Sequence, residues 1–116
     1  MRDFAKLFKA LSDETRIRIL KALLERECCV CEVMQALDIS QSRASRNLCV
    51  LEDAGFIRSR RDGLWIVYSI ARQTTSSYAA PLIEMLRSSL VNEEIILQDR
   101  ERLSHAVRVG SRAICK

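Results

Sequence analysis

The sequence predicts a mainly α-helical fold with a small β-hairpin, arranged as a winged helix-turn-helix. Three observations support this prediction. Apolar residues recur at helical spacing in four successive segments between residues 4 and 54, and a tight connection at residues 38–40 joins the last two of them. Two strand-like segments follow, separated by the hairpin signal Asp62-Gly63. A chain of 116 residues has length for one core of this kind.

The first two predicted helices are defined by apolar stripes and a cap. Phe4 and Leu11 bound a stripe that ends at Ser12, which predicts the first helix. Ser12-Asp13-Glu14 supplies capping oxygens and early acidic residues, so a second helix should run to about Glu25.

The third and fourth helices form the predicted helix-turn-helix. The third is short and runs from about Cys31, or slightly earlier, to Leu37. The fourth should run from Gln41 to Ala54, capped by Ser40 and stopped by Gly55. Its core face is predicted to comprise Leu48, Val50, Leu51 and Ala54, and Cys49 within this apolar stretch is expected to be a buried structural thiol.

The hairpin and the C-terminal part complete the predicted architecture. Residues 56–60 and 64–70 are rich in strand formers and predict the wing. Pro81 suits the first turn of one long last helix that reaches about Ile96. Such a helix would have little to cover on a monomer, so we expect a homodimer formed through the terminal helices. Residues 1–98 are therefore predicted as the winged helix-turn-helix and dimerisation domain, and residues 99–116 as a C-terminal tail that could be mobile.

Composition narrows the partners and the compartment. Lys and Arg number 19 against 15 Asp and Glu, and the net charge of +4 mildly favours an anionic partner such as nucleic acid. No signal core or membrane span is evident, so a cytoplasmic protein with no membrane partner is expected. Five cysteines without a secretory signal favour reduced thiols, and their clustering suggests metal binding or redox sensing.

Polar and basic side chains cluster where a helix-turn-helix contacts DNA. Arg can bind guanine through two hydrogen bonds, Asn or Gln can do the same with adenine, and Ser can hold a phosphate. The arginines beside the hairpin turn could touch the backbone or a minor groove. The alternative is a solvated helix face and a charged hairpin edge. The candidate contacts to double-stranded operator DNA are Gln41, Ser42, Arg43, Ser45, Arg46 and Asn47 on the fourth helix, with Arg58, Arg60 and Arg61 on the wing.

Three segments in order, residues 11–20, 39–48 and 51–57, closely resemble the ArsR/SmtB repressors, and the resemblance covers about residues 4 to 98. Members of that family are homodimeric winged-helix repressors that leave their operators when metal ions, metalloids or other signals bind. The resemblance implies the same function here.

Residues 27–32 resemble the arsenite-sensor box of that family, with Cys29 and Cys31 at its paired cysteine positions. Cys28 stands where the box usually has Leu, and Met34 stands where a third cysteine is common. The predicted ligands are therefore Cys29 and Cys31 with Cys28 as third, and the resemblance implies arsenite or antimonite as the inducer. Cys115 could instead supply a ligand from the partner subunit.

The spacing of the cysteines suggests how such a site would switch. A helix N-terminus is expected to lower the pKa of these thiols and so favour soft ions. On an ideal helix Cys28 and Cys31 share one face, whereas Cys29 points away from Cys31. Three thiolates could meet one ion only if the backbone there is irregular or deforms on binding. Ligation that pulls the first turn out of helical form would shift the helix-turn-helix.

Other interpretations stay open. The thiolates could bind cadmium, lead or zinc, although paired histidines cannot take part because His105 is the only histidine. A redox-sensing repressor would use a disulfide between Cys28 and Cys31, or between Cys29 and a distant thiol. A thioredoxin-like enzyme is disfavoured, since its cysteine pair follows a strand in a βαβ unit, and no enzymatic activity is expected. A protein-interaction module would leave the arginines around the hairpin turn unexplained.

Overall fold

The computed structural model describes residues 1–71 and 78–109. Within these residues the helices and strands follow the order expected of a winged helix-turn-helix, with one additional strand before the third helix. The elements are α1 (Arg2–Leu11), α2 (Glu14–Glu25), β1 (Cys28–Cys29), α3 (Val30–Leu37), α4 (Gln41–Ala54), β2 (Ile57–Asp62), β3 (Trp65–Ile70), α5 (Ala79–Ser88) and α6 (Glu94–His105).

The predicted caps and stops set the ends of α2 and α4. Asp13 Oδ1 accepts from the backbone N–H of Arg16 at 3.1 Å, and Ser40 Oγ accepts from the backbone N–H of Arg43 at 3.2 Å. Gly55 ends α4 in the left-handed region at φ 96°, which a residue without a Cβ adopts at little cost. The local sequence therefore determines the start of α2 and both ends of α4.

The sheet has three antiparallel strands in the order β1-β3-β2, and β1 was not predicted. Cys28 pairs with Tyr68 and Cys29 with Val67. A strand of two residues is too short to show the alternation of apolar and polar residues that predicts a strand. Its formation therefore depends on tertiary packing. The hairpin turn lies one residue later than predicted: Asp62 pairs with Trp65, and Gly63, at φ 63°, is the first of the two turn residues.

The core lies between α2, α3, α4 and the base of the sheet. Phe56, Ile19 and Leu20 are fully buried there, together with Leu48 and Leu51 from α4. Two expectations for α4 were wrong. Val50 is 36% exposed and Cys49 is exposed, because the helix turns residues 44, 47, 48 and 51 inward and so carries positions 49 and 50 to the outer side.

The single long C-terminal helix was also wrong, because the chain turns between α5 and α6. Leu90 adopts φ 60° at this turn, and Lys21 Nζ donates to the carbonyls of Leu86 at 2.8 Å and Ser89 at 2.7 Å, which satisfies the end of α5. The apolar residues of the two helices merge into one periodic pattern, which hid the break. Pro81 does lie in the first turn of α5, as expected.

Helix α6 packs against α2 and α3 and runs across the predicted boundary at residue 98. Its buried residues include Asp99 and Leu103. The described chain continues to Val109, and the remainder of the predicted tail lies outside the described residues. No helix in residues 1–71 or 78–109 is both long and apolar enough to cross a membrane.

Candidate DNA-reading surface and cysteine site

The outer face of α4 presents most of the predicted DNA contacts. Ser42, Arg43 and Arg46 are exposed, and Gln41 and Ser45 are partly exposed beside them. The opposite face of the helix packs in the core. This packing holds α4 in place while these side chains face solvent. We call this set the reading face.

Asn47 does not belong to the reading face. It is only 7% exposed, and its Oδ1 accepts from Nη1 of Arg16 at 3.1 Å while its Nδ2 donates to the backbone carbonyl of Arg43 at 2.9 Å. Both ends of the amide are therefore used inside the protein. The expected hydrogen bonds of Asn47 to adenine are not available in this conformation.

The wing carries its three predicted arginines on exposed positions of β2. Arg58 and Arg60 are two residues apart and share one side of the strand, whereas Arg61 lies on the other. Arg60 forms a two-bond ion pair with Glu27, at 2.7 and 2.9 Å, and this hydrogen bonding lowers the pKa of Glu27. Arg60 thus connects the wing to the segment that enters the cysteine cluster.

The three clustered cysteines divide between two environments. Cys29 and Cys31 are buried together and pack against Trp65 of β3. Cys28 is buried in the main core instead, and its Sγ lies 3.4 Å from the carbonyl oxygen of Arg26. The expectation that Cys28 and Cys31 share a helix face is wrong, because Cys28 and Cys29 form a strand whose side chains alternate.

Cys29 is also the N-cap of α3 and takes part in a capping box with Glu32. The Cys29 sulfur accepts from the backbone N–H of Glu32, and the Glu32 carboxylate accepts from the backbone N–H of Cys29 at 2.9 Å. Glu32 is buried and held by Arg26 at 2.7 Å. The sulfur at position 29 is therefore fixed at the start of the first helix of the helix-turn-helix.

The thiol pKa values differ from the sequence expectation. Burial raises the pKa of Cys28 to about 12 and raises the pKa of Cys29 above its usual value, even though backbone N–H groups at Cys29 act in the opposite direction. Removal from water outweighs the helix N-terminus. Both thiols are consequently protonated at neutral pH in this conformation.

The described residues bring two of the predicted ligands together rather than three. Within residues 1–71 and 78–109, no three side chains of Cys, His, Asp or Glu are grouped so that they could hold a metal ion. Met34, at the family's third cysteine position, packs against the main core. Cys115 lies outside the described residues. The sulfurs of Cys29 and Cys31 lie buried beside an aromatic ring, and Cys31 is disulfide-bonded in this conformation. The pair offers two soft sulfur donors once that disulfide is reduced.

The chain after α6 packs on α3 and Trp65 beside this pair, and no sequence pattern predicted this packing. Val107 exchanges two hydrogen bonds with the side-chain amide of Gln35, and the carbonyl of Val109 accepts from Nε1 of Trp65 at 2.9 Å. Arg108 stacks on the Trp65 ring, 5.5 Å from its centroid, and pairs with Asp62 at 2.9 Å. The C-terminal segment therefore ties α3 to the wing beside the cysteine pair.

A helix-turn-helix whose second helix exposes arginine and serine, followed by an arginine-bearing hairpin, defines a DNA-binding regulator of the winged-helix class. Residues 13–59 match the family described as bacterial regulatory protein, arsR family. The chain is 40% identical over 80 residues to the arsenical resistance operon repressor of Escherichia coli strain K12, an alignment covering 68% of each chain. The chain belongs to the ArsR family, which confirms the resemblance and makes it a DNA-binding transcriptional regulator and not an enzyme.

Two further relatives agree with this assignment. The cadmium resistance transcriptional regulatory protein CadC homolog of Staphylococcus aureus is 44% identical over 69 residues, which are 59% of this chain and 57% of the relative. The homodimeric winged helix-turn-helix DNA-binding domain of Mb0332 from Mycobacterium bovis superposes with a TM-score of 0.64 at 29% identity, covering 74% of this chain and 76% of that one. The predicted fold class is thereby confirmed.

Proposed function

We propose that this protein is a transcriptional repressor that binds operator DNA as a homodimer and leaves it when arsenite or antimonite binds the thiols of Cys29 and Cys31. The observation that supports the proposal is the burial of these two cysteines together at the N-terminus of α3. Cys31 is disulfide-bonded in this structure, so the form that binds arsenite is the reduced protein. The name of the Escherichia coli relative, an arsenical resistance operon repressor, supports the choice of ligand.

The protonation state of the thiols favours a neutral ligand. Arsenous acid carries three hydroxyl groups and no charge at neutral pH. Each thiol that binds forms an As–S bond while one As–O bond breaks, and the thiol proton leaves with the hydroxide as water. Protonated, buried thiols such as Cys29 can therefore react without leaving a net charge in the interior.

The position of Cys28 suggests how ligation reaches the DNA-binding elements. Cys28 is the proposed third ligand, yet in β1 it faces the main core, away from the Cys29 and Cys31 pair. To join them it must rotate, which breaks the pairing of Cys28 with Tyr68 and of Cys29 with Val67. That change frees the base of the wing and the start of α3, and a coupling of about 1–3 kcal/mol suffices for release.

Single serine substitutions test the ligand set. We expect Cys29→Ser and Cys31→Ser to bind DNA but to resist release by arsenite, since serine keeps the size and loses the sulfur donor. Cys28→Ser should bind arsenite with lower affinity. Cys49→Ser is the matched control, because Cys49 is exposed on α4, and it should respond as the wild type does. Gel shift with added arsenite, antimonite or peroxide measures the release.

Fluorescence provides a second measurement that needs no DNA. Trp65 is the single tryptophan of the chain and packs against Cys29 and Cys31, so arsenite should change its emission. Normal release and an unchanged tryptophan response in both the Cys29 and the Cys31 variant would refute the proposal. Release by peroxide without release by arsenite would identify a redox sensor instead.

A cadmium, lead or zinc sensor is the second candidate, because one relative is a cadmium resistance regulator. A divalent ion must displace the thiol protons, and the raised pKa values of Cys28 and Cys29 keep those protons in place. Cadmium affinity should therefore fall as the pH is lowered from about 8 to about 6, whereas arsenite affinity should stay flat. Titrations followed by Trp65 fluorescence at both pH values distinguish the two ligands.

The proposed homodimer rests on exposed aromatic residues of the terminal helices. Phe4 contacts Phe8 and Tyr78 edge to face, with ring centroids 5.0 and 4.9 Å apart, and all three rings are at least 40% exposed. Phe8→Glu should convert the dimer to a monomer in sedimentation experiments. Leu64→Glu, a substitution at an equally exposed wing residue, should leave the dimer intact. A dimeric Phe8→Glu variant would contradict this interface.

A further inference from the structure

The guanidinium of Arg16 joins three helices at one point. Arg16 belongs to the first turn of α2 and is largely buried, with its side chain 18% exposed. Its Nε donates to the carbonyl of Ala10 at 2.7 Å and its Nη2 to the carbonyl of Lys9 at 3.3 Å, both in the last turn of α1. Its Nη1 donates to Oδ1 of Asn47 in α4 at 3.1 Å.

The hydrogen-bond donors and acceptors at this junction can pair in one arrangement only. The last carbonyls of a helix have no partner within the helix, so the end of α1 presents acceptors to a cation. Asn47 can accept from Arg16 with its oxygen and donate to the Arg43 carbonyl with its nitrogen in one orientation of the amide only. The rigid fork of arginine therefore fixes both the distance and the angle between α1 and α4.

A second bond holds the same end of α4. Nη2 of Arg43 donates to Oγ1 of Thr15 at 2.8 Å, and Thr15 is buried at the start of α2. The N-terminal half of α4, which carries the reading face, is thus tethered to α2 at two neighbouring residues. Its orientation does not depend on the apolar core alone.

We infer that Arg16 and Asn47 are positioning residues that set the placement of α4 relative to α1 and so the separation of the two reading faces in the dimer. This inference rests on the proposed function, in which α1 contributes to the dimer interface and α4 enters the DNA. In a symmetric dimer, any rotation of α4 against α1 is doubled across the operator, and half-site spacing follows the geometry of the protein. Asn47 therefore governs spacing and not base identity.

The probe is a duplex selected from a random-sequence library with the wild-type full-length protein, together with versions whose spacer is one base pair longer or shorter. We expect Arg16→Lys and Asn47→Ala each to lose about tenfold in affinity at the selected spacing, with little loss at altered spacings. Lysine keeps the charge, but its donors all lie on one nitrogen and cannot span acceptors on two helices as the guanidinium fork does, so it should not rescue. The double variant should lose no more than either single one, because both substitutions break one linkage.

Control variants separate this inference from the proposed function. Arg46→Ala, on the reading face, should weaken binding at every spacing and combine additively with Arg16→Lys. Unchanged affinity in Arg46→Ala would remove the proposed DNA interface itself. The positioning role is wrong if Arg46→Ala weakens binding while Asn47→Ala keeps its spacing preference and no longer discriminates between bases at one position. In that case Asn47 reads a base.

Two further results would also overturn the positioning role. One is an equal loss at all spacings in the Arg16 and Asn47 variants, which would indicate a general structural defect. The other is a loss of about a hundredfold in the double variant, which would indicate independent residues. Thermal melting of each variant, compared with the wild type, shows that the protein tested is folded.

Discussion

The ion pair between Asp99 and Arg18 gives the strongest test of how α6 is attached. Asp99 is 3% exposed, and its two oxygens accept from Nε and Nη2 of Arg18, each at 2.8 Å. Arg102 adds a third bond at 2.9 Å, and Arg18 also donates to the carbonyl of Leu37 at the end of α3. One carboxylate therefore links α6 to α2 and, through Arg18, to the helix-turn-helix.

Asp99→Ala leaves the Arg18 guanidinium, which is 16% exposed, without its main partner. Removing one member of a buried pair costs about 3–5 kcal/mol. We expect a loss near the lower value, about 3 kcal/mol, because Arg18 retains its bond to Leu37 and part of its hydration. For a domain of this size, at roughly 4 °C per kcal/mol, the melting temperature should fall by about 12 °C.

Circular dichroism melting and urea denaturation measure the change. Both are performed at one fixed protomer concentration and repeated at a higher one, since dimer formation makes apparent stability depend on concentration. Glu101→Ala is the matched control in the same helix, because Glu101 pairs with His105 on the surface with both side chains more than 75% exposed. It should change stability by less than about 0.5 kcal/mol. If Asp99→Ala costs as little as this control, α6 is not anchored as described.

Two further predictions concern the backbone of α4 and the accessibility of thiols. Gly55→Ala should cost about 1–2 kcal/mol in urea denaturation, because φ 96° is unfavourable for an L-residue even though no atom lies within 4 Å of an added Cβ. If Gly55→Ala is as stable as the wild type, α4 does not end in a left-handed conformation at residue 55. Cys49 should react with a thiol reagent in the native protein at the rate of a free thiol, whereas Cys28, buried with a pKa near 12, should react only on unfolding. Fast native modification of Cys28, identified by mass spectrometry, would contradict its burial.

The helix-turn-helix and the wing could be predicted from the amino-acid sequence, because the signals for these elements are local. Ser40 and Gly55 bound α4 through a cap and a left-handed stop, and both act within one turn of the helix. The family followed from the same stretch, since residues 13–59 carry the matching pattern. Cys29 and Cys31 could likewise be selected as neighbours of one site from their motif alone.

Which side chains face each other across different helices and strands depends on tertiary packing and could not be predicted. The pairing of Cys28 with Tyr68 creates β1 and separates Cys28 from the other two thiols, although helical spacing predicted the opposite. Asn47 appeared available to DNA until packing against Arg16 enclosed it. The break before α6 and the packing of the C-terminal segment beside the cysteine pair depend on contacts between residues more than 40 positions apart, such as Arg108 with Asp62. Hydrophobic periodicity and capping residues reflect contacts within one or two turns of a helix. Contacts between residues far apart in the sequence leave no local pattern that could predict them.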